Sequence, residues 1–205
     1  MNEEIYRAAI WVIDAIRRSL EDDAAGRVKL RLAQQDLSPL AVTAPSSKRL
    51  PATRYLPECV ASSMFTSADV AAALAGVDEL LHWRQNPNYS DEVMGHGYMD
   101  NYAYTELIGP HGFFLGDDFL LGLLLLGPER HYRDHHHPAP ELYWLLTGPS
   151  EWRQGNEDFV LREAGETIWH EPHVVHATRT GTKPLLAVWA WTRDVGEPAR
   201  LTMAP

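Results

Sequence analysis

Seven of the chain's ten histidines fall between positions 131 and 176: His131, His135, His136, His137, His170, His173 and His176. Imidazoles clustered beside carboxylates are costly to bury without a shared ligand, so the cluster points to a metal ion. Its densest part is HYRDHHHPAPELYWLLTG. On a strand, residues two apart share a face, so His135 and His137 can point to one side while His136 points to the other. Pro138 and Pro140 interrupt that strand, Glu141 opens the next apolar run, and Tyr143 follows Glu141 onto the same face. One concave surface could then present two imidazoles, a carboxylate and a phenol. A fourth ligand would come from another strand, and His176 is the best candidate because the apolar Val174 and Val175 lead directly into it.

Three imidazoles and one carboxylate suit a single divalent ion, Fe(II), Zn, Mn, Co or Ni, with positions left open to water or substrate. The spacing does not choose among these metals. Cys59 is the one cysteine, which argues against a soft-metal or closed structural zinc site and forbids a disulfide within the chain. His136 is expected to face solvent, and His131, His170 and His173 to support the site or lie at the surface, since a mononuclear centre needs only three or four donors.

The elements that must position these residues change character along the chain. From 5 to 20, Ile5, Ala9, Val12, Ile13, Ile16 and Leu20 recur at steps of three and four, the mark of an amphipathic helix. A second helix is expected over about 24–35, with strand left open by the alternation of Val28, Leu30 and Leu32. Pro39, Pro45, Pro51 and Pro57 make 37–57 read as an extended connection. Thr66 or Ser67 can cap a third helix whose buried stripe is Val70, Ala73, Leu74, Val77, Leu80 and Leu81. After His82 come short apolar runs between Gly and Pro turns, which predict strands over 101–108, 119–126, 141–146, 151–153, 159–162, 167–170, 174–179 and 185–192. The expected division is a helical N-terminal part, 1–85, and a β-barrel, 86–205, that holds the metal. The helices either cover the barrel or pair two subunits into a homodimer, and their spacing leaves both open.

Whole-chain arithmetic fits one well-cored domain with an appendage: 205 residues, 45% hydrophobic, 18 basic against 28 acidic side chains, net charge −10. The acidic balance argues against nucleic acid, whose binders neutralise phosphates with Lys and Arg. MNEEIYRAAI has no basic leader, and no apolar run approaches the roughly 20 residues of a membrane span, so the expectation is a soluble, cytoplasmic protein with no membrane partner.

His135-x-His137-x3-Glu141-x6-Gly148 matches the first cupin signature after its leading glycine, and 165–176 resembles the second, with Pro172 ahead of His176. Departures touch turns: Gly127 stands farther ahead of His135 than usual, and His173-Val174 and Thr180 replace a common Gly and Asn. The segments YAYTELIGP, GLLLLGPERHYRDHHHPAPELYWLLTG, EWRQG, AGETIWHEPHVVHATRT and PLLAVWAW resemble the bacterial cupin dimethylsulfoniopropionate (DMSP) lyases over 98–194. The resemblance implies a mainly β cupin barrel (a double-stranded β-helix or jelly roll) with an α-helical N-terminal part. It also implies metal ligands at His135, His137, Glu141 and His176, and active-site tyrosines at Tyr132 and Tyr143. DMSP is a propionate bearing a dimethylsulfonium group, and its cleavage to dimethyl sulfide and acrylate is a β-elimination. Tyr143 is the preferred base, with Tyr132 orienting the substrate or sharing that role. The sulfonium is a soft cation suited to aromatic faces, for which Trp189, Trp191, Tyr102, Tyr104 and Trp169 are candidates. A three-His, one-Glu cupin dioxygenase and a non-catalytic cupin that binds a small molecule are the competing readings.

Overall fold

The structure is a computed structural model that describes residues 2–21, 23–38 and 45–202. Helices dominate the N-terminal part: α1 (Asn2–Ser19), α2 (Asp23–Ala33), α3 (Leu56–Ser63) and α4 (Ala68–Val77), followed by the one-turn α5 (Asp91–Met94). In α1 the expected stripe is buried through Ala9, Val12, Ile13 and Ile16, with Glu3 and Glu4 in the first turn and Arg17 and Arg18 in the last, each sign set against the opposite end of the helix dipole. Ser67 is the cap of α4, its side chain accepting the Val70 N–H at 3.3 Å.

The proline-rich connection departs from its extended reading. Pro51 opens a 3-10 turn (Pro51–Tyr55), and Pro57 stands in the first turn of α3. A proline at the start of a helix removes an N–H that would have no partner there anyway, so these two initiate helix where interior prolines would break it. Pro39 lies outside the described residues.

Ten strands follow among the described residues: β1 (Tyr102–Ile108), β2 (Leu120–Leu126), β3 (His131–His136), β4 (Glu141–Leu145), β5 (Ser150–Gln154), β6 (Val160–Arg162), β7 (Thr167–His170), β8 (His176–Thr180), β9 (Leu185–Trp191) and β10 (Arg200–Leu201). They form two antiparallel sheets, ordered β1-β2-β9-β4-β7 and β10-β3-β8-β5-β6. From β2 onward almost every connection crosses from one sheet to the other, which is the jelly-roll arrangement of a mainly β cupin barrel. β10 has no counterpart among the expected strands, and Val174 and Val175 precede β8 rather than opening it.

Two apolar clusters share the first sheet. Its outer face, Leu121, Leu123 and Leu125 of β2 with Leu186 and Val188 of β9, is buried with Val12 and Ile16 of α1 and Leu74 of α4. Its inner face, with Leu124, Tyr143, Trp189 and Trp191, closes over Tyr132 of β3 and Trp152 of β5. The helices therefore cover the barrel's outer sheet, which explains why LLGLLLL is buried at every position instead of alternating. Among the described residues no helix is long and apolar enough to cross a membrane.

Candidate metal centre

The six singled-out side chains come from β3, β4, β8 and the turn after β3. All are buried: Tyr132, His135, His137, Glu141, Tyr143 and His176. Tyr132 and His135 are three apart, which simple alternation would place on opposite faces. The pairing of β3 with β8 shifts between them, Tyr132 standing opposite Thr178 and His135 opposite His176. That bulge turns both inward, and their rings stack with centroids 4.0 Å apart and planes 6° from parallel. His136 is only partly buried, beside an interior His135 and His137.

His137, Glu141 and His176 bring one ligand atom each within 4.8 Å of one another. Glu141 Oε2 lies 3.0 Å from His137 Nε2 and 3.3 Å from His176 Nε2. His135 is not in that group; its ring stands against His176, with centroids 4.0 Å apart, and 6.3 Å from the His137 ring. All three histidines share one internal arrangement. Nδ1 faces a backbone carbonyl: Arg133 at 2.8 Å for His135, Ala139 at 2.8 Å for His137, Val174 at 2.9 Å for His176. A carbonyl only accepts, so Nδ1 carries a proton, which leaves Nε2 as the nitrogen each ring would offer a metal in place of any proton shared with Glu141. Two ligand atoms each about 2.1 Å from one ion and about 90–110° apart are separated by about 3.0–3.4 Å, the spacing seen here. The buried His176 Nε2 makes no hydrogen bond. Donor chemistry, tautomers and spacing fit a divalent ion.

Electrostatics point the same way. Burial pushes the Glu141 carboxyl upward, but His137 and His176 outweigh it and hold its pKa well below the usual carboxylate range. Burial, then the neighbouring His176, drives the His135 pKa well below that of free imidazole, so it is uncharged and available as a donor. Burial, then Glu141, raises the Tyr143 phenol well above 10, and burial among tyrosines does the same for Tyr132.

Glu141, Tyr132 and Tyr143 open onto one cavity of about 310 Å³, walled on its aromatic side by Tyr102, Tyr104, Trp189 and Trp191. That is small among ligand pockets and suits a compact molecule. Trp169, the fifth aromatic candidate, is not in this wall: it packs with the helical layer, under the Arg27 guanidinium at 4.6 Å, and donates to Glu171 at 2.8 Å. Trp191 does more than line the cavity. Its Nε1–H donates to Glu141 Oε1 at 2.8 Å while its ring lies against His137 at 4.3 Å.

Two contributors, Tyr89 and Glu106, lie outside the expected set, and His170, expected to support the site or lie at the surface, is buried against it. Tyr89, in the loop before α5, brings its hydroxyl within 3.2 Å of that of Tyr132, and burial raises its pKa to about 12. His170 is fully buried, stacked on His176 at 4.0 Å, and neither ring nitrogen has a hydrogen-bond partner. Burial pushes its pKa well below the ordinary value, so it is a neutral ring. Glu106 is, with Glu141, the second buried acid of the cavity wall among the described residues. Its signal was the alternation of Tyr102, Tyr104 and Glu106, whereas Tyr89 sits in a loop that no periodicity marks.

The family model for dimethylsulfoniopropionate lyase matches residues 24–187. The chain is 28% identical over 135 residues to dimethylsulfoniopropionate lyase DddQ of Ruegeria pomeroyi, covering 66% of each chain. It is 29% identical over 124 residues to a putative dimethylsulfoniopropionate lyase, DddL, of Cereibacter sphaeroides, covering 60% of this chain and 50% of that one. The matched stretch thus spans between half and two thirds of these relatives. Among solved structures, the crystal structure of DddQ from Ruegeria pomeroyi DSS-3 superposes with a TM-score of 0.71 at 22% identity, covering 97% of this chain and 96% of that one. A chain from the crystal structures of the DMSP lyases RdDddP and RnDddQII superposes at 0.74 and 19%, covering 99% and 100%.

Proposed function

The chain belongs to the dimethylsulfoniopropionate lyase family, and on that premise we propose that it cleaves DMSP to dimethyl sulfide and acrylate by β-elimination. The observation that carries the proposal is the meeting, at one small cavity, of the carboxylate of a His/Glu donor group with two buried tyrosines. His135, His137, Glu141 and His176 would hold one divalent ion of iron, zinc, manganese, cobalt or nickel. When bound, that ion supplies positive charge that neutralises the substrate carboxylate and makes the neighbouring C–H more acidic.

Tyr143 then acts as base. Its oxygen takes the proton from the carbon next to the carboxylate, the C–H electrons form the double bond of acrylate, and the C–S bond breaks as its electron pair leaves on dimethyl sulfide. In the metal-free site burial and Glu141 hold the phenol protonated, so the activity depends on added positive charge nearby. Tyr132, braced by Tyr89 and stacked on His135, orients the substrate or shares the base role. The reading is completed by a small-molecule substrate, a cytoplasmic setting, and neither nucleic acid nor membrane as partner.

The test is headspace detection of dimethyl sulfide from DMSP with protein reconstituted in turn with each of the five metals. Tyr143→Phe and His135→Ala are expected to abolish release, and the phenylalanine variant should still bind metal. No sulfide with any metal overturns the proposal, and a Tyr143→Phe enzyme of full activity overturns the base assignment.

A further inference from the structure

Glu106 is buried in the cavity wall and has no part in the steps above. Its Oε2 accepts the backbone N–H of His111 at 2.9 Å. Among the described residues no basic side chain comes within the 4.0 Å of a salt bridge; Arg84 and His111, which share the cavity wall, and His82 lie beyond that distance. Burial raises its pKa, the mark of a carboxylate that lacks a close cation.

The sheet register places this acid relative to the reacting groups. Glu106 stands opposite Gly122, Gly122 opposite Trp189, and Trp189 opposite Tyr143, one row across β1, β2, β9 and β4. Gly122 leaves a gap in that row, and the Trp189 indole fills it: a Cβ on Gly122 would sit 2.8 Å from the ring. The indole therefore leans from the Tyr143 side toward Glu106, and Tyr104 meets it edge-on, centroids 6.1 Å apart at 75°. A carboxylate beside two aromatic rings is a pocket for a cation, and a soft onium group without hydrogen-bond donors is the kind such a pocket favours.

We infer that Glu106, with Tyr104 and Trp189, binds the cationic end of a zwitterionic substrate whose carboxylate lies at the His137, Glu141 and His176 end of the cavity. The inference rests on the lyase reading and deepens it. It also predicts a kinetic signature. The sulfonium charge disappears as the C–S bond breaks, so a fixed anion beside it stabilises the bound substrate more than the transition state. Neutralising Glu106 should weaken binding without slowing the chemical step, and the uncharged sulfide is no longer held once formed.

Glu106→Gln keeps an acceptor for the His111 N–H, so the turn it anchors is retained. Two ligands that cannot eliminate sulfide are compared by calorimetry on the metal-loaded protein: trimethylammonium propionate, and its carbon isostere in which a tert-butyl group replaces the cation. Wild type is expected to favour the cationic ligand by about ten-fold or more, and Glu106→Gln to lose most of that preference while binding the isostere as before. With DMSP the same variant should raise KM by about ten-fold and not lower kcat. Equal affinity of wild type for the two ligands, failure to bind either, or an unchanged preference in Glu106→Gln overturns the inference. A cationic preference that Glu106 controls in a protein releasing no sulfide would sink the lyase reading alone.

Discussion

At the scale of single residues, the site depends on groups that hold the donors as much as on the donors. Three Nδ1 atoms bound to backbone carbonyls orient three rings, and Trp191 fixes the carboxylate through Glu141 Oε1. Trp191→Phe preserves an aromatic ring against His137 but removes, among the described residues, the only N–H on that oxygen, which costs a buried acceptor its partner. Metal affinity, measured by competition with a chromophoric chelator, should fall by about 10–100-fold, with the melting temperature of the metal-free protein moving far less. An unchanged affinity would mean that Glu141 is oriented by the strand alone. The buried, inward-facing His135, His137, Glu141 and Tyr143 were legible as a group because they lie close together in sequence. Trp191 was visible only as an aromatic, because a hydrogen bond between residues 50 apart leaves no spacing to read.

At the scale of elements, the inner face of the first sheet depends on a missing side chain. A Cβ on Gly122 would approach the Thr105 carbonyl oxygen to 2.0 Å as well as the Trp189 ring to 2.8 Å. The first contact is with backbone and cannot be relieved by a rotamer change, so β1 and β2 must separate. Gly122→Ala should cost roughly 1–3 kcal/mol in urea unfolding, the range of overpacked cores, and should weaken substrate binding because Trp189 is displaced. Stability and KM equal to wild type would show that the strands part freely there. Elements were legible where one environment governs them: α1 has one buried stripe. They were less so where two environments compete. The bulge in β3 depends on what β8 offers opposite it, and the two residues of β10 exist as a strand only by pairing with His135 and His136. Pro51 and Pro57 were misread because a helix start and a helix break use the same residue.

At the scale of the molecule, the helical layer and the barrel share one apolar core, with Val12, Ile16 and Leu74 buried among Leu121, Leu123, Leu186 and Val188. The sheet that carries Glu141 and Tyr143 on its inner side has no solvated side on which to rest. Arg27 of α2 adds a second link, reaching Glu171 at 3.5 Å just beyond the His170 that stacks on His176. If the two parts unfold as one unit, a cavity made in the helical layer must destabilise the barrel equally. Ile16→Ala removes a fully buried side chain of α1 and should cost about 2–5 kcal/mol. Helical dichroism reports α1 to α4, whereas five of the seven tryptophans, Trp144, Trp152, Trp169, Trp189 and Trp191, lie on barrel strands and report the barrel by fluorescence. In guanidinium the two signals are expected to shift to the same lower midpoint with an unchanged slope. If dichroism moved while the fluorescence transition stayed in place, the helices would be a separable cover. The metal site would then survive their loss, a result the shared core argues against.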